Sequence, residues 1–341
     1  MIRVVGIGGG TGLSVLLRGM KMATDCRTRS DPDSSVETTA IVCVSDNGGS
    51  SGLLRRSFGI PAVGDLRNCL AAMSDDRSVL PDLFQYRFAS GDGLAGHSLG
   101  NLILSALCLM SGSVRFATAQ ASSLLGITGR VFPATELPVS LCARMCSGEI
   151  VRGEVEIAAA RKCIQSLRLE PECPPPCEGV LDAITAADVI VLGPGSLFTS
   201  IVPSFLVAGI AEAVRCSPAP KIFACNLMTQ PGESDRFTAA DHLRVLEQYL
   251  GRGIVDVCLM NSRPVKPQLL GKYWNFGSEL VCADPEEIGA MGIQISAGDL
   301  LETGPEQIRH DAGKLAETIL SLAREPKRVG CHWETTRSLV A

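Results

Sequence analysis

Residues 1–22 read MIRVVGIGGGTGLSVLLRGMKM, and three patterns follow one another there. Residues 2–7 form a short β-branched run, the signature of a buried strand. Gly6, Gly8, Gly9, Gly10 and Gly12 follow, and then Leu13, Leu16, Leu17 and Met20 recur at helical spacing. A strand running through glycines into a helix brings bare backbone N–H groups to a helix N-terminus, where a phosphate is favoured. Five glycines within seven residues exceed what a tight turn requires. The dinucleotide fingerprint G-x-G-x-x-G does not fit, because Thr11 or Leu13 stands where its third glycine belongs. No GK[ST] follows either, so the usual NAD and ATP cradles are both disfavoured.

Working outward, residues 38–44 are a second apolar run, reached after the polar stretch 25–37 and ending in SDNGGSSG. Two strands joined by a helix suggest a parallel βαβ unit. Residues 64–126 read as a helical segment in which 99–110 is apolar nearly all round, hence internal. The period then changes. VSLCARMCSGEIVRGEVEI, residues 139–157, has Ser147, Gly148 and Glu149 between two strand-like runs, which predicts a β-hairpin inside an insertion spanning 131–161. After the Pro-rich connector 170–178 the alternation resumes, with helices at 180–186, 204–215 and 238–250 and strands at 188–192, 221–225 and 254–259. The prediction is an α/β, doubly wound, Rossmann-like parallel sheet with a helical segment and a β-hairpin insertion. Residues 1–325 are expected to form one domain, and 326–341 a C-terminal tail.

Composition narrows the function. The chain has 341 residues, 31 Lys plus Arg against 36 Asp plus Glu, and a net charge of -5. That is the wrong sign for general nucleic-acid binding. Hydrophobic residues make up 46%, which excludes disorder for the bulk of the chain. The start lacks a secretory apolar stretch, and the most apolar later segment, 197–214, is interrupted by polar residues. A cytoplasmic protein without membrane insertion is therefore expected. The fourteen cysteines contain no C-x-x-C pair and are read as structural, reduced thiols buried mostly in apolar runs.

Polar residues cluster at the ends of the expected strands. Asp46, with Gly48, Gly49 and Ser50 beside it, lies where doubly wound folds bind ligands, and an acid there can meet a ribose or a metal. Asp65, Arg67 and Asn68 in GDLRN suit a phosphate site bridged by metal or paired by charge, with a plain helix cap as the alternative. His97 and Asn101 stand at the mouth of the apolar helix, as ligand contacts or caps. Gly193, Gly195 and Ser196 repeat the strand, glycine loop and helix arrangement, and Asn226 follows the next strand. Several such loops at one sheet edge exceed what turn chemistry explains.

Six segments, GGGTGLSVLLRGMK, SDNGGSSGLLRR, GDLRN, AGHSLGN, GPGSLFTSIVP and CNLMTQPGESD, in this order and spacing, closely resemble the YvcK-type gluconeogenesis factor family, which is CofD-like and related to 2-phospho-L-lactate transferase. The resemblance runs from residue 2 to about 322. It implies a Rossmann-like fold and, in the YvcK branch, binding of a UDP-sugar, a cytoplasmic location and links to cell shape and growth on particular carbon sources. In the transferase branch it implies transfer of a lactyl phosphate from a nucleotide diphosphate carrier to a deazaflavin with a divalent metal. The candidate nucleotide residues read from these loops are Gly8, Gly9, Gly10, Thr11, Gly12, Asp46, Gly49, Ser50, Arg67, Asn68, His97, Asn101, Gly193, Gly195, Ser196 and Asn226, with Asp46 and Asp65 as candidate Mg²⁺ ligands. Relatives often carry Asp where this chain has Asn47, which weakens the metal site. Aromatic residues at 4% also offer a deazaflavin little stacking surface, although Tyr86 and Phe88 would suffice. The expectation is a UDP-sugar-binding regulatory protein, a homo-oligomer, with no certain cofactor and Mg²⁺ as the candidate. The alternative is a Mg²⁺-dependent phosphotransferase, and a nicotinamide oxidoreductase fails on the fingerprint.

Overall fold

A computed structural model describes residues 1–30, 35–75, 78–302 and 307–324; the expected tail 326–341 lies outside them. The β-branched segments form β1 (Ile2–Gly8), β2 (Val36–Val42) and β3 (Gly129–Pro133). A small separate group follows, β4 (Ser140–Met145), β5 (Ile150–Arg152) and β6 (Ile164–Glu170). The second half supplies β7 (Val189–Leu192), β8 (Lys221–Ala224), β9 (Val257–Asn261) and β10 (Gln294–Gly298). The main sheet has seven strands in the order β10-β9-β8-β7-β1-β2-β3, every neighbour parallel. From β1 the chain winds one way to β2 and β3, and from β7 the other way to β8, β9 and β10. The boundary between β1 and β7 is therefore the point where strand order reverses, the edge at which doubly wound folds bind ligands.

The first-half helices are α1 (Gly10–Ser30), α2 (Gly49–Phe58), α3 (Gly64–Met73), α4 (Leu80–Gln85), α5 (Leu99–Ser111) and α6 (Val114–Leu125). Then come α7 (Glu154–Ala160), α8 (Val180–Thr185), α9 (Val202–Phe205), α10 (Ile210–Cys216), α11 (Ala239–Leu250), α12 (Pro267–Trp274), α13 (Pro285–Ala290) and α14 (Ala312–Leu322). The predicted stripes face the core: Leu13, Leu16, Leu17 and Met20 of α1 are at most 1% exposed, as are Leu243, Leu246 and Leu250 of α11. Burial of each such side chain contributes about 1.5–3 kcal/mol. At the start of α11 the Thr238 hydroxyl accepts from the Asp241 backbone N–H and the Asp241 carboxylate accepts from that of Thr238, satisfying two N–H groups the helix leaves open.

Several expectations shift. The insertion does not begin at 131, because residues 131–133 belong to β3 of the main sheet. Nor does it end at 161, since β6 completes a three-stranded antiparallel sheet of order β5-β4-β6. The helix expected over 204–215 is broken: a π-helical turn at Leu197–Ile201 leads into α9, and α10 departs at 80° after Gly209 in the left-handed region, φ 77°. Among the described residues no single helix is long and apolar enough to cross a membrane. Most of the free cysteines described are buried, as expected, but the expectation that all are reduced is corrected. Cys146 and Cys163 are joined in a disulfide, brought opposite each other where the β4–β6 ladder irregularity lets the Cys146 N–H donate to the Cys163 carbonyl at 2.8 Å. Cys26, Cys173, Cys216 and Cys282 are exposed.

Candidate functional site

The carboxyl ends of β1 and β7 carry the two glycine loops, and these loops touch. A Cβ on Gly12 would lie 2.4 Å from the Pro194 carbonyl oxygen and 2.9 Å from Gly195 N, and one on Gly8 would lie 3.7 Å from Gly193 Cα. Only a residue without a side chain permits the first approach. The Gly195 N–H donates to Asn226 Oδ1 at 3.2 Å, which ties the end of β8 to the same place. Gly8, Gly9, Gly10, Gly12, Gly193, Gly195, Ser196 and Asn226 are thus brought together at the reversal point. Thr11 is exposed in the first turn of α1.

Carboxylates stand beside these loops. A Cβ on Gly9 would lie 2.5 Å from Asp65 Oδ2, and one on Gly64 would lie 3.4 Å from Asp46 Oδ2. Asp46 accepts from the Gly48 N–H at 2.7 Å, shaping the loop that opens α2. Burial, then the nearby charge of Asp46, pushes Asp65 up to about 6, although the Gly10 N–H and Arg67 oppose the shift. Burial pushes Glu154, at the start of α7, up to about 9, with Asp46, Asp65 and Glu233 adding repulsion. Glu233 is raised too by burial, against hydrogen bonds from Ser196 and Thr199. The Ser196 hydroxyl donates to Glu233, and Thr199 Oγ1 lies 2.6 Å from Ser196 Oγ and 3.3 Å from Glu233 Oε2. Sequence reasoning found Asp46, Asp65 and Ser196 but missed Glu154, Thr199 and Glu233. Glu233 lies within the quoted PGESD and was open to notice; Glu154 sits in an unremarkable stretch and arrives only because the insertion folds back.

His97, Asn101 and Ser50 form a second, buried group. Ser50 Oγ lies 2.9 Å from His97 Nδ1 and accepts from Asn101 Nδ2 at 3.1 Å. Ser98 caps α5 by accepting from the Asn101 N–H. Their side chains therefore fasten the N-terminus of α2 to that of α5, and the Asn101 Oδ1 stays buried without a protein partner. Gly49, at φ 43° and exposed, starts α2. Arg67 is 7% exposed and spends its terminal nitrogens on Gln85 Oε1 at 3.1 Å and Asn68 Oδ1 at 2.7 Å. Asn47 turns towards the insertion: it donates to Glu156 Oε2 at 2.6 Å and accepts from the Val155 N–H at 3.1 Å, pinning the start of α7. An aspartate there would face the Glu156 carboxylate.

Whether Mg²⁺ fits can be judged from the donors. Asp46 and Asp65 offer the hard oxygens it prefers, and their repulsion is what a cation would relieve. Among the described residues, however, no three His, Cys, Asp or Glu side chains are grouped closely enough to enclose a metal. The residues fit an ion held by one or two carboxylates and completed by phosphate oxygens and water, the usual way Mg²⁺ is bound.

The sequence from residue 4 to 301 matches the family described as 2-phospho-L-lactate transferase CofD. The chain belongs to the CofD family. It is 43% identical over 318 residues to the gluconeogenesis factor of Bacillus subtilis (strain 168), covering 93% of this chain and 97% of that one. It is 44% identical over 324 residues to a putative gluconeogenesis factor of Aquifex aeolicus, covering 94% and 96%. A crystal structure of a UPF0052-family protein from Bacillus halodurans superposes with a TM-score of 0.88 at 42% identity, over 94% of this chain and 100% of that one. The two sequence relatives carry the gluconeogenesis factor name.

Proposed function

We propose that this CofD-family chain is a cytoplasmic, nucleotide-sugar-binding regulatory protein that holds the diphosphate of a UDP-sugar on Gly8–Gly12 and Gly193–Ser196, and that it acts as a gluconeogenesis factor with ties to cell shape. The contact of Gly12 with Pro194 at the strand-order reversal carries this reading. Two glycine loops, each at a strand's carboxyl end, leave a surface bare of side chains at the N-terminus of α1, where the helix favours the charge of a diphosphate. Binding would shift the chain between states by its different affinity for each. Calorimetry with UDP-N-acetylglucosamine, with and without Mg²⁺, should give saturable binding, and chromatography should find no product. No binding under either condition overturns the reading.

The carboxylates favour a second reading, Mg²⁺-dependent phosphoryl transfer. Asp46 and Asp65 would hold Mg²⁺ against the diphosphate, where it would offset charge building on the transferred group. Glu154, kept protonated near neutral pH, could then donate a proton to a phosphate oxygen. Turnover above a buffer blank that disappears in Asp65→Asn would install this reading.

A further inference from the structure

A second recess opens at the same sheet edge, two strands along from the glycine loops. It lies between the carboxyl ends of β8 and β9, has a volume of about 140 Å³, and is walled by Leu227, Met260, Pro264, Val265 and Val281. Asn226 also lines it, and the same Asn226 side chain accepts from the Gly195 N–H. The recess and the diphosphate surface therefore share a wall. Neighbouring strands are about 4.8 Å apart, so the β8–β9 boundary stands about 10 Å from the β7–β1 boundary. A ribose and one phosphate bridge a gap of that order.

The chemistry of the walls distinguishes this end from the other. On the β2 side the glycine loops meet Asp46, Asp65 and Glu154, a place for a cation or a hydroxyl-rich sugar. On the β8 side aliphatic Leu227, Met260 and Val281 share the walls with the amides of Asn226 and Asn261. Arg263, the charged side chain at the recess, is turned to Asp299 at 3.4 Å. Behind Cys225, burial pulls His310 down to about 4, so its imidazole is neutral near pH 7. The amide of Asn261 is consumed by Arg263 and Leu300 backbone groups. A slot of aliphatic walls edged by the neutral amides of Asn226 and Asn261, with Arg263 turned away to Asp299, suits a flat, neutral heterocycle better than a phosphate.

We infer that the recess walled by Leu227, Met260 and Val281 takes the nucleobase of the ligand, so that the nucleoside lies over β8 and β9 and the sugar end over β2. This rests on the diphosphate reading above, and the test separates the two. Val281→Trp fills the slot without touching either glycine loop. Titrated with UDP and, separately, with inorganic pyrophosphate, the variant should lose at least tenfold in affinity for UDP while pyrophosphate binding stays within twofold of the unsubstituted chain. Leu227→Trp, on the segment paired with that of Val281, should repeat the result if Val281→Trp folds poorly. UDP binding unchanged in both variants overturns the base assignment while leaving the diphosphate reading standing. Equal loss of UDP and pyrophosphate in folded variants also overturns it, because the slot would then belong to the phosphates. An unsubstituted chain that binds neither probe overturns both.

Discussion

Substituting Gly12 by alanine tests the joint between the two glycine loops directly. The new Cβ would sit 2.4 Å from the Pro194 carbonyl oxygen and 2.6 Å from its carbon, both backbone atoms. The loops must part by about 1 Å to reach ordinary contact, and overpacking of this kind costs about 1–3 kcal/mol. A phosphate spanning both loops would lose at least one charge-assisted hydrogen bond, worth about 1.5–3 kcal/mol. At about 1.4 kcal/mol per decade, affinity should fall roughly tenfold to a hundredfold. Gly10→Ala is the matched control. Gly10 has φ 63° and its nearest neighbour would be Ser200 Oγ at 3.8 Å, so the substitution adds backbone strain of about 1–2 kcal/mol without wedging the loops. Thermal melting should show both variants destabilised, whereas calorimetry with a UDP-sugar should show the larger loss in Gly12→Ala. If Gly12→Ala binds and melts like the unsubstituted chain, the loops do not meet as described and the site built on them fails.

Three further outcomes follow from the geometry. Asp65 and Glu154 titrate higher in the folded chain, about 6 and about 9 against ordinary values of 3.8 and 4.5, so folding takes up protons and stability falls as pH rises from about 4 to about 9. Glu154→Gln should flatten that slope and raise Tm at pH 8; an unchanged slope contradicts the burial of this carboxyl. Asn47→Ala removes the contacts that hold α7, costing about 1 kcal/mol, and hydrogen exchange should quicken over 154–160 while the main sheet keeps its protection. Thiol titration of the native chain should label Cys26, Cys173, Cys216 and Cys282 promptly, with the buried Cys43, Cys69 and Cys258 reacting only in denaturant; fast labelling of Cys69 would contradict the packing of α3.

The first strand, its glycine loop and α1 were legible because each has one dominant local signal, and the Gly193 loop repeats it. The hairpin turn at 147–149 was legible for the same reason. β6 was not, since its alternation in Ile164–Glu170 is mixed with charge and its partner β4 lies across a helix. β10, QISAG, is an edge strand with no fully buried residue, so nothing apolar marks it. The break after α9 falls at Gly209, whose φ of 77° suits a glycine, a signal masked by the apolar residues on either side of it. Among site residues, the carboxylates in glycine-rich segments could be read in place, whereas Glu154 gains its role from a fold-back of the insertion. His97, Asn101 and Arg67 were noticed as polar groups near a helix start, but the sequence does not reveal that they are spent on Ser50, Asn68 and Gln85.

The central position of β1 has a consequence for how the chain is made. β1 pairs with β2 on one side and with β7 on the other, and Arg3 is bonded to Asp188 through its backbone N–H at 2.8 Å and its guanidinium at 3.0 Å. Its second neighbour is thus translated some 185 positions later. At about 5–20 residues per second, the glycine loop made first waits roughly 10–40 s for Pro194 and Gly195 to leave the ribosome. During that interval β1 exposes an unpaired apolar edge of the kind that aggregates or recruits a chaperone. A nascent chain halted before residue 193 would carry every residue of the first phosphate loop and still have no ligand site.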